Sequence, residues 1–535
     1  MCSSKFFNTP LKRAIAFLIF PLSFYLADYL NYVRAFKIAL IGLLVIGTLS
    51  SWIRLFKKNK VIKILLVIMS AIIFLNMSFH AGLRDIFGVA QNDLIVMQAI
   101  FGTDSSEGWE FILQYKRHLL KHLSVFLLSF GLYYLFVLRC EQIISDRANV
   151  KKTALIFTLL LVIVHFNSTM RRSDPLFYFP YFHAEWKADI LATEKLSEEL
   201  GKNLSSSQLS SMHYTDNGKK RTMVWVIGES DTKYNWSLYG YKRETNPKME
   251  SLKDELLIFN NIFAAAPITV PAFQRMLTAA TLEKPDLWKK EPDILLMAKQ
   301  AGYHVYWISN HTTDAFSIMN IFASHADEVI LTNKGKSRGE GSMDETLLAP
   351  YRKALDDDYD KKFIIVHLLG SHPAYNFRYP KSYGKFTYQF DDPVMQKLKS
   401  KGRAQWALVF RNLYDNSILY SDMVRYELLS MLKNSKDAEH GTWLYIPDHG
   451  EDVCHNSNFS GHNYQAIEQW EIPMLFWSSL NDGSIDKNIT ERFYRMDMMN
   501  DTILGLLDID GAYYHPQNDL FSEQCECGIV KDMAH

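Results

Sequence analysis

Met223-Val-Trp-Val-Ile-Gly-Glu-Ser230 is five apolar residues followed by a glycine, a carboxylate and a hydroxyl. A short apolar run bounded by polar residues reads as a strand buried on both faces. The same design recurs downstream in Leu257 to Phe263, His304 to Ile308, Phe363 to Leu369, Trp443 to Ile446 and Met474 to Trp477, with helix-length stretches between them. That alternation signals an α/β sandwich: a mostly parallel sheet with helices on both faces.

Several of these runs end in polar clusters, namely Gly228-Glu-Ser230, Ser309-Asn-His311, Gly370-Ser-His372 and Asp448-His-Gly-Glu451. In an open α/β sheet the carboxyl ends of the strands line the ligand crevice, so one site collects all four clusters. Asp448 and His449 pair an oxygen with a nitrogen ligand, and Glu229 supplies a third; the set suits zinc with one position open to a reacting group. Phe259-Asn-Asn-Ile262, continued through Thr269 to Leu277, reads as strand, turn and helix, with Pro271 in the first helical turn and Thr269 as its N-cap. A capping threonine is merely structural. As a nucleophile it needs a metal and the positive helix end to favour its alkoxide, and hence a fold that brings Glu229 and Asp448 to it.

Upstream of residue 221 the solvent changes. Five stretches approach the roughly 20 apolar residues that cross a bilayer: Ala14 to Tyr32, Ile38 to Leu55, Val61 to Phe79, Leu119 to Leu138 and Thr153 to Phe166. Lys and Arg are retained on the cytoplasmic side, and Arg54, Lys57, Lys58 and Lys60 follow the second stretch as Arg139, Arg147, Lys151 and Lys152 follow the fourth. The N-terminus is therefore expected inside and everything after about residue 168 outside. The expected organisation is a five-helix membrane domain over 1–167 with an external loop at 80–117, an interfacial linker over 168–220 carrying the aromatic run Pro175 to Trp186, and an external catalytic domain over 221–535. The run 203–218, rich in Ser and Asn, is expected to be a solvated connection.

With 535 residues and a formal net charge of zero, the chain offers nucleic acid no electrostatic footing. Few ionisable residues such as Asp28 fall within the spans, which argues against a translocation path. Cys2 and Cys140 fall on the cytoplasmic side. Cys454, Cys525 and Cys527 fall outside, where one disulfide from Cys454 to Cys525 or Cys527 is an option.

These residues resemble the phosphoethanolamine transferases of the alkaline-phosphatase and sulfatase superfamily. The resemblance is carried by Val226-Ile-Gly-Glu-Ser230, Ser237 to Pro247, Phe259-Asn-Asn-Ile262 through Thr269 to Leu277, His367-Leu-Leu-Gly-Ser-His372, Arg378-Tyr-Pro380, Tyr414-Asp-Asn416, Asp448-His-Gly-Glu451 and Gly461-His462. Five spans and an external catalytic domain are also that family's plan, so the match covers nearly the whole chain.

The resemblance implies a bacterial inner-membrane enzyme with a periplasmic catalytic domain. Zinc is held by Glu229, Thr269, Asp448 and His449, with a second metal as an open question, and Thr269 is the nucleophile. His372 and His462 bind or protonate substrate, Asn310 contacts it, and Thr103 and Glu107 of the external loop belong to a motif placed over the active site. Ala99 stands where the family often has an asparagine. The implied reaction takes phosphoethanolamine from phosphatidylethanolamine to lipopolysaccharide, in surroundings of membrane lipid. Ala265, Ala266, Ala272 and Phe273 replace the cysteines that flank the nucleophile in enzymes acting on lipid A, so the chain looks more like the subgroup acting on the lipopolysaccharide core. A phosphoglycerol transferase differs only in the donor headgroup. A sulfatase-type hydrolase is disfavoured, because Thr269-Val-Pro-Ala-Phe273 lacks the Cys/Ser nucleophile and the arginine of that class.

Overall fold

The computed structural model describes residues 32–56, 58–87, 105–134, 147–171, scattered positions between 180 and 195, and then 209–216, 218–311, 318–333, 343–387, 389–480 and 487–527. It divides into two compact units, Met1–Met97 with Tyr115–Ala188, and Gln98–Gln114 with Asp189–His535.

The first unit is helical: α1 (Tyr32–Leu55), α2 (Lys60–Phe87), α3 (Ser105–Leu132) from Tyr115 onward, and α4 (Arg147–His165). A small apolar core joins Ile41, Val45 and Leu49 of α1 to Ile73, Phe74 and Met77 of α2, beside the buried Tyr133. Tyr133 shares hydrogen bonds with Ser50 (2.9 Å) and Ser70 (3.3 Å), so its hydroxyl is satisfied inside an apolar setting. Ile64, Leu65 and Ile68 of α2 and Leu155, Leu159 and Ile163 of α4 face outward, as a hydrocarbon solvent permits. Among the described residues Lys60–Phe79 is the helix long and apolar enough to cross a membrane, and Leu40–Leu55 is a shorter apolar one. All of the first expected span except Tyr32 lies outside the described residues, as do Cys2, Cys140, Ala99 and most of the aromatic run.

In the second unit an eight-stranded sheet is built from β1 (Arg221–Gly228), β2 (Leu257–Phe263), β3 (His304–Ser309), β4 (Glu328–Leu331), β5 (Lys361–His367), β6 (Gly441–Pro447), β7 (Glu471–Ser478) and β8 (Tyr494–Arg495). Their order is β8-β2-β7-β6-β1-β5-β3-β4. Only β7 runs against its neighbours, pairing antiparallel with β2 and β6, so the expected mostly parallel sheet is present.

The pleat explains why the central run of β1 is apolar throughout. Met223, Trp225 and Ile227 of β1 point to one core with α5 (Thr269–Met276), α6 (Ile294–Gln300) and, near the C-terminus, Met499, Ile503 and Leu504. Val224 and Val226 point to the other, with α7 (Leu348–Asp356) and the long α8 (Gln405–Lys433). Successive side chains of a strand face opposite ways, so a sheet covered on both sides needs every residue apolar.

Two expectations need correction. Within the supposedly solvated run 203–218, His213–Tyr214 pairs antiparallel with Ile509–Asp510, because Tyr214 and Ile509 are both buried in the core. Cys454 takes no part in a disulfide: it is a buried free thiol, and Cys525 is joined to Cys527.

Candidate active site

Register places the acidic groups together. Gly228 of β1 stands opposite Pro447 of β6, so the next residues, Glu229 and Asp448, leave adjacent parallel strands side by side. The ladder continues past the strand ends: Asp448 N–H donates to the Gly228 carbonyl (3.1 Å) and Asp231 N–H to the His449 carbonyl (2.8 Å). Ser230 holds a left-handed φ of 53°, which lets its N–H donate to Asp448 Oδ1 (3.1 Å) and its hydroxyl to Glu229 Oε1 (2.8 Å). Gly370, at φ 52°, passes so close that an added Cβ would lie 2.9 Å from the Glu229 backbone, which is why glycine is required there.

Thr269 is the first residue of α5, one position further in than expected; the N-cap is Ile268, whose backbone is extended. Its hydroxyl therefore turns to the carboxylates instead of capping. Thr269 Oγ1 is 3.3 Å and 3.4 Å from the two Glu229 oxygens and 3.3 Å from His449 Nε2. His449 Nε2 is in turn 3.3 Å from Asp448 Oδ2 and 3.5 Å from Glu229 Oε1. His449 Nδ1 donates to the Gly450 carbonyl (2.8 Å), a tautomer that leaves the Nε2 lone pair facing this cluster.

The electrostatics are those of a cation site. Burial and the neighbouring Asp448 push the Glu229 carboxyl well above the usual range, and burial pushes Asp448 up as well. Burial and nearby His462 pull His449 down to about 3, keeping it neutral and able to ligate. Asp448 Oδ2 is buried without a hydrogen-bond partner among the described residues. Such an atom is costly unless an ion satisfies it, and Glu229, Asp448 and His449 present ligand atoms all within 4.8 Å of one another. The residues fit a divalent metal.

The ligands are buried, whereas Thr269, His372 and His462 are each partly open to solvent, where substrate arrives. His462 Nδ1 lies 3.2 Å from Glu451 Oε2, and Tyr375 donates to the other Glu451 oxygen (2.7 Å). Burial lowers the His462 pKa, but Glu451 outweighs it, and the net direction is upward. His372 Nδ1 is 3.4 Å from the Pro373 carbonyl. Asn310 is fully buried and held by Asp344 (2.9 Å) and Thr332 (3.0 Å). Thr103 lies outside the described residues, and of Glu107 only the backbone, in α3, is described.

Motif reading did not single out His311 as a site residue. Its Nε2 donates to the Leu368 carbonyl (2.9 Å) and lies 3.7 Å from Glu229 Oε2. Its ring stacks on His367 with centroids 3.9 Å apart and planes within 7°. Ring-nitrogen lone pairs of stacked imidazoles lie in parallel planes and cannot converge on one ion. This pair packs beside Glu229, and its signal was only proximity to the third strand end.

A threonine hydroxyl set against a buried acid–imidazole cluster, at the carboxyl ends of a mostly parallel sheet, forms the candidate active site of a sulfatase-like domain. The sulfatase family model matches residues 221–509, more than half of the chain, and the chain belongs to that family. It is 34% identical over 294 residues to the phosphoethanolamine transferase EptC of Escherichia coli K12, covering 53% of this chain and 49% of that one. The chain thus matches about half the length of the curated relatives. The zinc complex of the C-terminal periplasmic domain of Escherichia coli EptC superposes with a TM-score of 0.55 at 31% identity, over 59% of this chain and 90% of that one. An integral membrane protein, lipooligosaccharide phosphoethanolamine transferase A of Neisseria meningitidis, shares the fold over 95% of this chain and 96% of its own at a TM-score of 0.61 and 19% identity. A helical part joined to a sulfatase-like domain is therefore the architecture.

Proposed function

We propose that the chain is an inner-membrane phosphoethanolamine transferase with five crossings, an N-terminus in the cytoplasm and its catalytic domain in the periplasm. It moves phosphoethanolamine from phosphatidylethanolamine to lipopolysaccharide, at a core sugar such as a heptose, through a covalent adduct on Thr269. The observation that carries this reading is the Thr269 hydroxyl, released from capping and held 3.3–3.4 Å from Glu229 and 3.3 Å from His449. The names of the relatives support the transferred group, and the zinc in the Escherichia coli domain supports the metal.

Glu229, Thr269, Asp448 and His449 would hold the zinc. When bound, it supplies Lewis acidity that favours the threonine alkoxide at neutral pH. The Thr269 hydrogen already points to Glu229, whose burial makes it a stronger base than a solvated carboxylate. Oγ1 attacks phosphorus while Glu229 takes its proton; the Oγ1–P bond forms, the P–O bond to the glyceride breaks, and His462 Nε2–H protonates the departing oxygen as diacylglycerol leaves. In the second displacement an acceptor hydroxyl attacks the same phosphorus and Oγ1 departs. His462, with Nδ1 engaged by Glu451, takes the acceptor's proton at Nε2, Glu229 returns its proton to Oγ1, and His372 is the alternative carrier. Thr103, Glu107 and Asn310 are assigned to the substrate.

Incubating the full chain in phosphatidylethanolamine vesicles and analysing its Thr269 peptide by mass spectrometry tests the proposal. A phosphoethanolamine adduct is expected on Thr269, and none in Thr269→Ala, with transfer down by about 10³-fold or more. A phosphoglycerol adduct would redirect the donor assignment, and an active Thr269→Ala would sink the mechanism. Lipopolysaccharide from cells with and without the gene, split into lipid A and core before mass analysis, places the acceptor.

A further inference from the structure

Gln469 ends the turn Ile467–Gln469 that leads into β7, and its side chain is fully buried. Its Nε2 donates to the Pro267 carbonyl (2.9 Å) and to the Gly450 carbonyl (2.5 Å). Its Oε1 accepts from Asn463 N–H (3.0 Å). A primary amide has two donor hydrogens, and here two carbonyls take them, so a flipped amide would set oxygen against both. The backbone adds a further tie, because Gly450 N–H donates to the Gln469 carbonyl (2.9 Å).

Those three partners lie one or two residues from the reacting groups. Pro267 is two residues before Thr269, Gly450 follows His449, and Asn463 follows His462. The Gly450 carbonyl is also the one that receives His449 Nδ1–H, so Gln469 steadies the acceptor that fixes the His449 tautomer. Gln469 Nε2 itself lies 3.3 Å from both His449 Nδ1 and His462 Nδ1. The two segments are pressed together: a Cβ on Gly450 would lie 2.1 Å from the Glu468 carbonyl oxygen, so neither can drift without moving the other.

We infer that Gln469 is a positioning residue for the transfer reaction: it locks the segment bearing Thr269 to the segment bearing His449 and holds Thr269 Oγ1 within reach of His449 Nε2. This inference rests on the transferase reading above. It acts through backbone carbonyls and touches neither substrate nor metal. Its loss should therefore slow chemistry and weaken the metal without changing how donor lipid is held.

The test uses the full chain in phosphatidylethanolamine vesicles, with Gln469→Leu, which removes the donors at similar volume, and Gln469→Glu, which keeps an acceptor for Asn463 and sets oxygen against the two carbonyls. Expected for both are a kcat lower by about 10- to 100-fold, a KM for the donor within about twofold, and zinc affinity, read by competition with a chromophoric chelator, weakened by a similar factor. A folded variant with wild-type kcat and zinc affinity overturns the inference, as does one in which only KM moves. If neither variant folds, Gln469 is a structural residue and the inference is likewise overturned. Failure of the wild type to label Thr269 would strike the transferase reading instead, while the zinc titration still reports on Gln469.

Discussion

Arg425 has no solvent exposure, yet it carries a charge that never leaves it at physiological pH. Its guanidinium donates to Asp231 (3.0 Å), the Tyr445 hydroxyl (3.1 Å) and the Ile418 carbonyl (3.3 Å), and lies over the Trp236 ring at 4.3 Å. Asp231 also accepts from Trp236 (2.6 Å) and Tyr445 (2.8 Å), and it follows Glu229 by two residues. Removing one partner strands a buried charge. Arg425→Met is expected to cost about 3–5 kcal/mol, read as a lower urea midpoint with unchanged slope. Arg425→Lys should recover little, since one ammonium cannot reproduce the planar fork. None of this was legible in the sequence: Asp231 and Arg425 stand 194 positions apart in no motif. Glu229, Thr269, Asp448 and His449 were legible because each sits just past an apolar strand or at a helix start, where position alone predicts convergence. Gln469 and His311 act through contacts that only folding creates.

Six of the eight sheet strands were readable from their apolar runs, because burial on both faces writes a hydrophobic signature, broken in β2 only at Asn260-Asn261 where the strand is partly exposed. β4 and β8 were not. β4 is a partly exposed four-residue strand at the sheet edge, and β8 is a two-residue edge strand, too brief to show any period. The helix α8 shows a different kind of control. From its middle, Asp422 accepts N–H groups of Lys248 (2.7 Å) and Met249 (3.1 Å), capping the short helix Pro247–Glu250 that α8 packs on. Burial pushes the Asp422 carboxyl up to about 6. An unfolded chain loses this proton near pH 4, so between roughly 4 and 6 the folded state binds more protons than the unfolded. The resulting stabilisation is complete below the unfolded pKa and is lost as pH rises through 6. Asp422→Asn cannot ionise and should flatten that part of the profile, by on the order of 2–3 kcal/mol between pH 4.5 and 7.5. Thermal melts of both proteins across that range measure it; parallel curves would reject the assignment.

Hydropathy divided the chain into a helical part and a sheet part, since lipid and water select different sequences. The apolar signal is weakest in α3, which carries Glu107, Glu110, Lys116, Arg117 and Lys121 along half its length. The sheet part holds its own cores, with members running from Leu209 to Leu520 in one and from Val224 to Leu475 in the other. Residues 209–535 expressed alone should therefore fold, melt cooperatively and bind zinc as the full chain does. Under the proposed activity, both substrates are lipids, and the anchor's role is to replace a search through solution by a search along a surface. The isolated domain keeps Thr269 and its ligands but lacks Thr103 and Glu107, so it should still label Thr269 with a short-chain, water-soluble phosphatidylethanolamine, at a rate down by no more than about tenfold from the full chain. On vesicles of long-chain donor its transfer should fall by about 100-fold or more, because most encounters with the bilayer are lost. The comparison of the two donors separates the causes: an equal loss of about 100-fold or more on both means that the part before residue 209 shapes the catalytic site itself, and equal rates on vesicles would show that anchoring contributes nothing to turnover.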